Sequence, residues 1–250
     1  MGLFNSAMSF PHYPGSNEQS YYVLPFPYFV YRGEYFRSDR DGFKGMFFKS
    51  RYLESSISLS GYPPIDGDNG AREGMPELGA LFGVGPELKW HITNNESDHP
   101  LYLSTAIQGV SSARFNSFIS IYYEGVRYSA TLRYKNETLL KPPGSSLGIS
   151  AALYYADADL NGFFYDVDQE YIRNDRPYYR SGKGPAGHSL ATYVVYGLND
   201  KFSVSGYLRW DNVSHAVFND SPLVKQDDTF IVGISLIWKM YKSKKMVDAD

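Results

Sequence analysis

The pattern of apolar and polar positions has a period of two over most of the chain. Near the end, Phe230, Val232, Ile234, Leu236, Trp238 and Met240 share one face, while Thr229, Ile231, Gly233, Ser235, Ile237 and Lys239 share the other. Alternation of this kind predicts a strand. A large apolar face backed by small or polar residues suits lipid on one side and a polar interior on the other. The same alternation runs through residues 78–92. There Phe82, Val84, Leu88, Trp90 and Ile92 oppose Gly83, Gly85, Glu87, Lys89 and His91. It returns where Tyr128, Ala130, Leu132 and Tyr134 oppose Ser129, Thr131 and Arg133, and where Leu147, Ile149, Ala151, Leu153 and Tyr155 form one face. Leu190, Thr192, Val194, Tyr196 and Leu198 form another, answered by Phe202, Val204, Gly206, Leu208 and Trp210 with Ser203, Ser205, Tyr207, Arg209 and Asp211 behind them.

Breaks between these segments place the loops. His12-Tyr-Pro-Gly-Ser16, Asp39-Arg-Asp-Gly42, residues 61–75, residues 94–99, Lys141-Pro-Pro-Gly144 and residues 213–226 read as turns or loops. Glu124-Gly125 and Asn199-Asp200 read as hairpin turns. Asp157 to Gly187 lacks clear periodicity and reads as a large loop with a short hairpin at Gly162 to Asp166. Pro25 and Pro27 argue against a regular central strand over Tyr21 to Tyr31. Phe43 to Phe48 and Tyr52 to Leu59 are either two strands or one long bent one. The expected fold is all-β: a closed antiparallel transmembrane β-barrel of about ten to twelve strands. Residues 1–240 form one outer-membrane domain in this reading, and 241–250 a polar tail.

Composition adds constraints. The chain has 250 residues, 17% aromatic, with 23 Tyr and 16 Phe, a surplus that suits strands and membrane interfaces. A formal net charge of -3 gives no argument for nucleic acid. Cysteine is absent, which removes disulfides and thiolate chemistry. The longest apolar run falls short of the ~20 residues a membrane helix needs, so a spanning form must use strands. Met1 to Phe10 has neither a basic start nor a long apolar core; an outer-membrane reading therefore expects a leader that this sequence does not show.

Candidate chemistry is sparse. Asp66, Asp68 and Glu73 do not complete a calcium loop. Gly182 to Gly187 lacks the ending of a phosphate loop, and Gly144-Ser-Ser-Leu-Gly148 is not a nucleophile elbow. His91 is expected in the interior, paired with carboxylates. His188-Ser189 and Ser214-His215 are the adjacent Ser/His pairs that a lipid hydrolase would need, but neighbours on a strand point to opposite faces. Arg133, Arg209, Glu87 and Lys89 would line the interior of a passive small-solute pore.

Several stretches form an ordered set: His12 to Ser16, Leu24-Pro-Phe-Pro-Tyr28 with Tyr31-Arg-Gly33, and Ala71-Arg-Glu-Gly-Met-Pro76. Gly83-Val-Gly-Pro86, residues 165–179 with Arg176-Pro177, and Asn219-Asp-Ser-Pro-Leu-Val224 complete it. In these stretches the chain resembles the MipA/OmpV family (MltA-interacting protein) of Gram-negative outer-membrane proteins. The resemblance implies a non-enzymatic outer-membrane β-barrel that contacts outer-membrane lipid and lipopolysaccharide. It also implies a scaffold role between a lytic murein transglycosylase and a peptidoglycan synthase, or a part in envelope stress. It supplies no catalytic, cofactor-binding or metal-binding residues. Two departures are the missing leader and a last strand that ends on Met240 with a polar tail, where the family usually ends on an aromatic residue.

Overall fold

The computed structural model describes residues 2–28, 31–32, 36–39, 42–65, 69–93, 97–115 and 119–240. The alternating segments form antiparallel strands, as their period requires. They are β1 (Gly2–Pro11), β2 (Gln19–Tyr28), β3 (Tyr31–Arg32), β4 (Phe36–Asp39), β5 (Gly42–Lys49), β6 (Leu53–Tyr62) and β7 (Ala80–His91). Then follow β8 (Leu101–Phe115), β9 (Ile119–Asn136), β10 (Ser146–Ala156), helix α1 (Ala158–Tyr165), β11 (Gly184–Gly197), β12 (Phe202–Asn212) and β13 (Asp228–Lys239).

All thirteen strands belong to one sheet, in the order β2-β1-β13-β12-β11-β10-β9-β8-β7-β6-β5-β4-β3. The last strand is paired on both sides: Trp210↔Phe230 through Phe202↔Trp238 on one, and Gly2↔Lys239 through Ser9↔Val232 on the other. That ladder joins the two ends of the chain, yet it does not close the sheet. The expected closed barrel of ten to twelve strands is corrected on both points. Among the described residues there are thirteen strands, and β2 and β3 are free edges with no ladder between them. The prolines explain one edge. Pro25 and Pro27 lie two apart on β2, so their missing N–H groups fall on the same side of the strand, and a strand short of two donors on one side belongs at a border. The opposite border, β3, is two residues long.

The face assignments hold. Phe230, Val232, Ile234, Leu236 and Trp238 are exposed, whereas Thr229, Ile231 and Ile237 are buried. On β7, Leu88, Trp90 and Phe82 point out while Lys89 and His91 are buried. The outer face is thus a belt of large apolar side chains, and the inner face is small and polar.

Three local expectations change. Glu124-Gly125 is not a turn: Val110 pairs with Gly125 and Ser111 with Tyr123, leaving Glu124 as the extra residue of a bulge inside β9. Gly125 has φ +129, and a Cβ there would come within 2.3 Å of Asp157 Oδ1, so glycine lets the next element dock. That element is α1, which replaces the hairpin expected at 162–166. Asp157 caps it by accepting from the Leu160 N–H at 2.9 Å with one oxygen and from the Val126 N–H at 2.7 Å with the other. Finally, β5 and β6 are separate strands. The turn expected at 39–42 includes residues 40 and 41, which lie outside the described residues.

Candidate functional site

Antiparallel order puts the segments 12–18, 63–65, 69–79, 157–183 and 213–227 at one end of the sheet, and 92–93, 97–100, 137–145 and 198–201 with the start of β1 and the end of β13 at the other. The first group packs into a cap with its own apolar core of Tyr13, Leu78, Tyr165, Val167, Phe218 and Leu223. Tyr165 stacks on Phe218 with ring centroids 3.6 Å apart. The Tyr165 hydroxyl donates to the Pro14 carbonyl at 2.7 Å, and the Tyr13 hydroxyl donates to the Leu223 carbonyl at 2.8 Å. Burial pushes the Tyr13 hydroxyl up to about 12, so both phenols stay protonated donors.

Two buried arginines sew the cap together through carbonyls. Arg176 donates from Nε to the Tyr171 oxygen at 2.9 Å, and from its two Nη atoms to the Ala71 and Glu73 oxygens at 3.0 Å each. Arg72 donates to the Phe164 oxygen at 2.7 Å and to Pro76. Burial lowers the Arg72 guanidinium to about 10, which still leaves it charged at neutral pH. His12 accepts at Nδ1 from Asn69 Nδ2 at 2.9 Å, which leaves its Nε2–H to donate to Ser20 Oγ at 3.0 Å. Burial lowers its pKa, in keeping with that neutral tautomer. The cap also ties strand ends together: Tyr62 on β6 donates to the Pro11 carbonyl on β1, and Tyr22 on β2 donates to the Pro64 carbonyl.

Below the cap lies a chamber of about 280 Å³ with a mixed polar and apolar lining, roofed by Phe164, Tyr165 and Phe218. A second hollow of about 210 Å³ adjoins it and shares Arg133, Thr131, Tyr154 and Arg209. Near its β6–β7 wall, Lys89 sits 3.3 Å from Glu54 and 3.2 Å from Glu87, and His91 lies 3.7 Å from Glu54. This is the interior pairing of His91 with carboxylates that the alternation predicts. Arg209 donates from Nε to Asp211 at 3.0 Å and lies over the Tyr154 ring. Arg127 donates to Ser60 Oγ at 2.6 Å and Gln108 Oε1 at 2.7 Å, both neutral, and its buried Nε has no hydrogen-bond partner. Thus Arg133, Arg209, Glu87 and Lys89 do face inward, but only the two arginines line the chamber.

The adjacent Ser/His pairs divide. Ser189 is buried inside, 3.2 Å from the Tyr154 hydroxyl, while His188 meets Trp210 edge-on. Ser214 and His215 do touch, contrary to expectation, with Oγ 2.9 Å from Nδ1. The Ser214 hydroxyl also lies 2.6 Å from Asn212 Oδ1, to which it donates as part of an ordinary side-chain turn. Of the calcium candidates, Asp66 and Asp68 lie outside the described residues and Glu73 is paired with Arg173 at 2.6 Å. Among the described residues, no three His, Asp or Glu side chains converge to hold a metal ion.

The chain matches the family of MltA-interacting protein MipA over residues 3–240, nearly its whole length. It belongs to the MipA family. No curated protein matches it. Membership supports a non-enzymatic outer-membrane role in general terms. Four of the stretches that carry the resemblance in sequence, 12–16, 71–76, 165–179 and 219–224, come together in the cap of this MipA-family chain. Sequence reasoning placed them as loops and missed that they form one core. Tyr13, Tyr165, Phe218 and Leu223 stand without periodicity, and the available hint was that large apolar residues recur in segments otherwise rich in Gly, Pro and Asp.

Proposed function

We propose that this protein is a non-enzymatic component of the Gram-negative outer membrane that scaffolds peptidoglycan-remodelling proteins, with residues 1–240 acting as one unit and 241–250 as a polar tail. The observation that carries this reading is the match across residues 3–240 to the family of MltA-interacting protein MipA. The outer apolar belt, with Trp90, Leu153, Leu190, Val232 and Ile234 exposed on successive parts of the sheet, supports a lipid setting, because soluble surfaces rarely carry so continuous an apolar face. The partner surface in this reading is the rim formed by 92–93, 97–100, 137–145 and 198–201, which lies at the end away from the cap. A lytic murein transglycosylase and a bifunctional peptidoglycan synthase are the expected partners. The test is co-purification of both enzymes from the producing cell on tagged, folded full chain, followed by binding with purified components. Retention of the transglycosylase that is lost on charge reversal at the rim supports the scaffold. Failure of either enzyme to bind the purified chain, together with unchanged enzyme localisation in cells lacking it, refutes it.

A further inference from the structure

Strand register brings two arginines to the sides of one hollow. Arg133 on β9 pairs with Ser150 on β10, Ser150 with Ala191 on β11, and Ala191 with Arg209 on β12. The four residues therefore lie in one row across the inner face, with the two arginines at its ends and two small side chains as the floor. Three strand spacings separate the arginine backbones by roughly 14 Å, and two long side chains leaning inward from that distance leave a gap of small-ligand size. In the next row the floor stays small, with Ala152 opposite Ser189. Tyrosines bound the hollow along the strands: Tyr154 on the cap side, and Tyr193 on the other, where its ring covers Gly148 and would meet a Cβ there at 2.1 Å.

The charge in this space is not balanced by the protein. Among the described residues, Asp211 is the one carboxylate that lines the two hollows, and it is paired with Arg209. Arg133 has no ion pair or hydrogen bond among the described residues. Arg127, deeper under the cap, has only neutral acceptors and an orphan Nε. The Glu54 and Glu87 carboxylates are engaged by Lys89, and Lys135 nearer the rim is paired with Glu137 at 2.7 Å. Guanidinium groups are planar forks suited to two-pronged contact with phosphate and carboxylate, and a cleft lined by one sign of charge concentrates counter-ions; Arg133 is solvent-exposed in this one and Arg209 half-buried.

We propose that the hollow between Arg133 and Arg209 is a binding site for a small phosphate-bearing ligand. The phosphate bridges the two guanidiniums above Ser150 and Ala191, and the uncharged part of the ligand lies against Tyr154 and Tyr193. Such a group reaches the hollow either as a soluble phosphate ester or as a lipid headgroup. Calorimetric titration of the folded full chain in neutral detergent separates the two: glycerol 3-phosphate and inorganic phosphate against glycerol in one arm, phosphatidic acid in mixed micelles in the other. Saturable binding of a phosphate species but not of glycerol is expected. R133Q removes charge without removing any contact within the described protein, and should weaken binding at least tenfold. A191L fills the floor without touching charge and should do the same. Saturation by glycerol 3-phosphate assigns a soluble ligand, and saturation by phosphatidic acid alone assigns a headgroup. The site is refuted if neither saturates below about 10 mM, the weak end of specific recognition, or if folded R133Q or A191L binds as tightly as the parent chain. Should R133Q fail to fold, A191L decides alone.

Discussion

Replacing Phe218 by alanine should open the cap and leave the sheet standing. Phe218 is 1% exposed and stacks on Tyr165, which in turn holds the Pro14 carbonyl and accepts at its own carbonyl from Ser221 at 2.8 Å. An aromatic side chain of this kind buries about 150–250 Å². At about 25 cal/mol per Å² this corresponds to about 4–6 kcal/mol, while Phe→Ala changes in protein cores fall near 3–5 kcal/mol. We take about 4 kcal/mol, which is close to a thousandfold in the opening equilibrium, since each 1.4 kcal/mol is tenfold. Hydrogen exchange reads it directly. The reporters are the Val167 N–H, bonded to Tyr179 at 3.0 Å, and the Lys225 N–H, bonded to Gly15 at 2.8 Å. Both should exchange about a thousandfold faster in F218A, while amides in the β12–β13 ladder around Arg209↔Ile231 stay protected. Acceleration of the cap amides by less than about tenfold would refute the claim that this core holds the cap. Equal acceleration in β12–β13 would show that cap and sheet open as one unit.

Other outcomes follow from the same geometry. K89M leaves the Glu54 and Glu87 carboxylates without their cation in a wall where their side chains are 12% and 10% exposed, and should destabilise by about 3–5 kcal/mol in urea unfolding, with E87Q restoring part of the loss. Recovery of full stability in K89M alone would contradict this. L208R places a charge on the outer belt, where Leu208 is 45% exposed, and should cost about 2–4 kcal/mol for folding into lipid vesicles, whereas S205R on the inner face should cost less. Equal costs would argue against the lipid assignment of the outer face. Burial holds the His12 pKa below its ordinary value of 6.5, so the stability it contributes is present above 6.5 and lost as pH falls through the depressed value. Cap protection in exchange experiments should therefore decline as pH falls from 6.5 to the depressed value and decline less in H12Q; an unchanged pH profile in H12Q would assign the effect elsewhere.

The period-two pattern by itself determined most of the strands and their faces, because a one-residue slip would turn Phe230 to Trp238 inward, whereas the partners of β13 and the two-residue step of its register were decided by the folded sheet. It also placed His91, Arg133 and Arg209 on the inner face. Strand ends, the bulge and the edges needed the folded chain. Glu124-Gly125 carries turn residues, and whether they reverse the chain or bulge within it depends on the partner strand and on Asp157 docking against Gly125. Whether the sheet closes depends on hydrogen-bonding groups at β2 and β3, and alternation of side chains says nothing about which backbone donors find partners. The cap was least legible, since Tyr13, Arg72, Tyr165, Arg176 and Phe218 are spread from one end of the chain almost to the other and share no period. The row Arg133, Ser150, Ala191, Arg209 was hidden for the same reason: each residue is visible in its own strand, but only the registers of three ladders bring them into line.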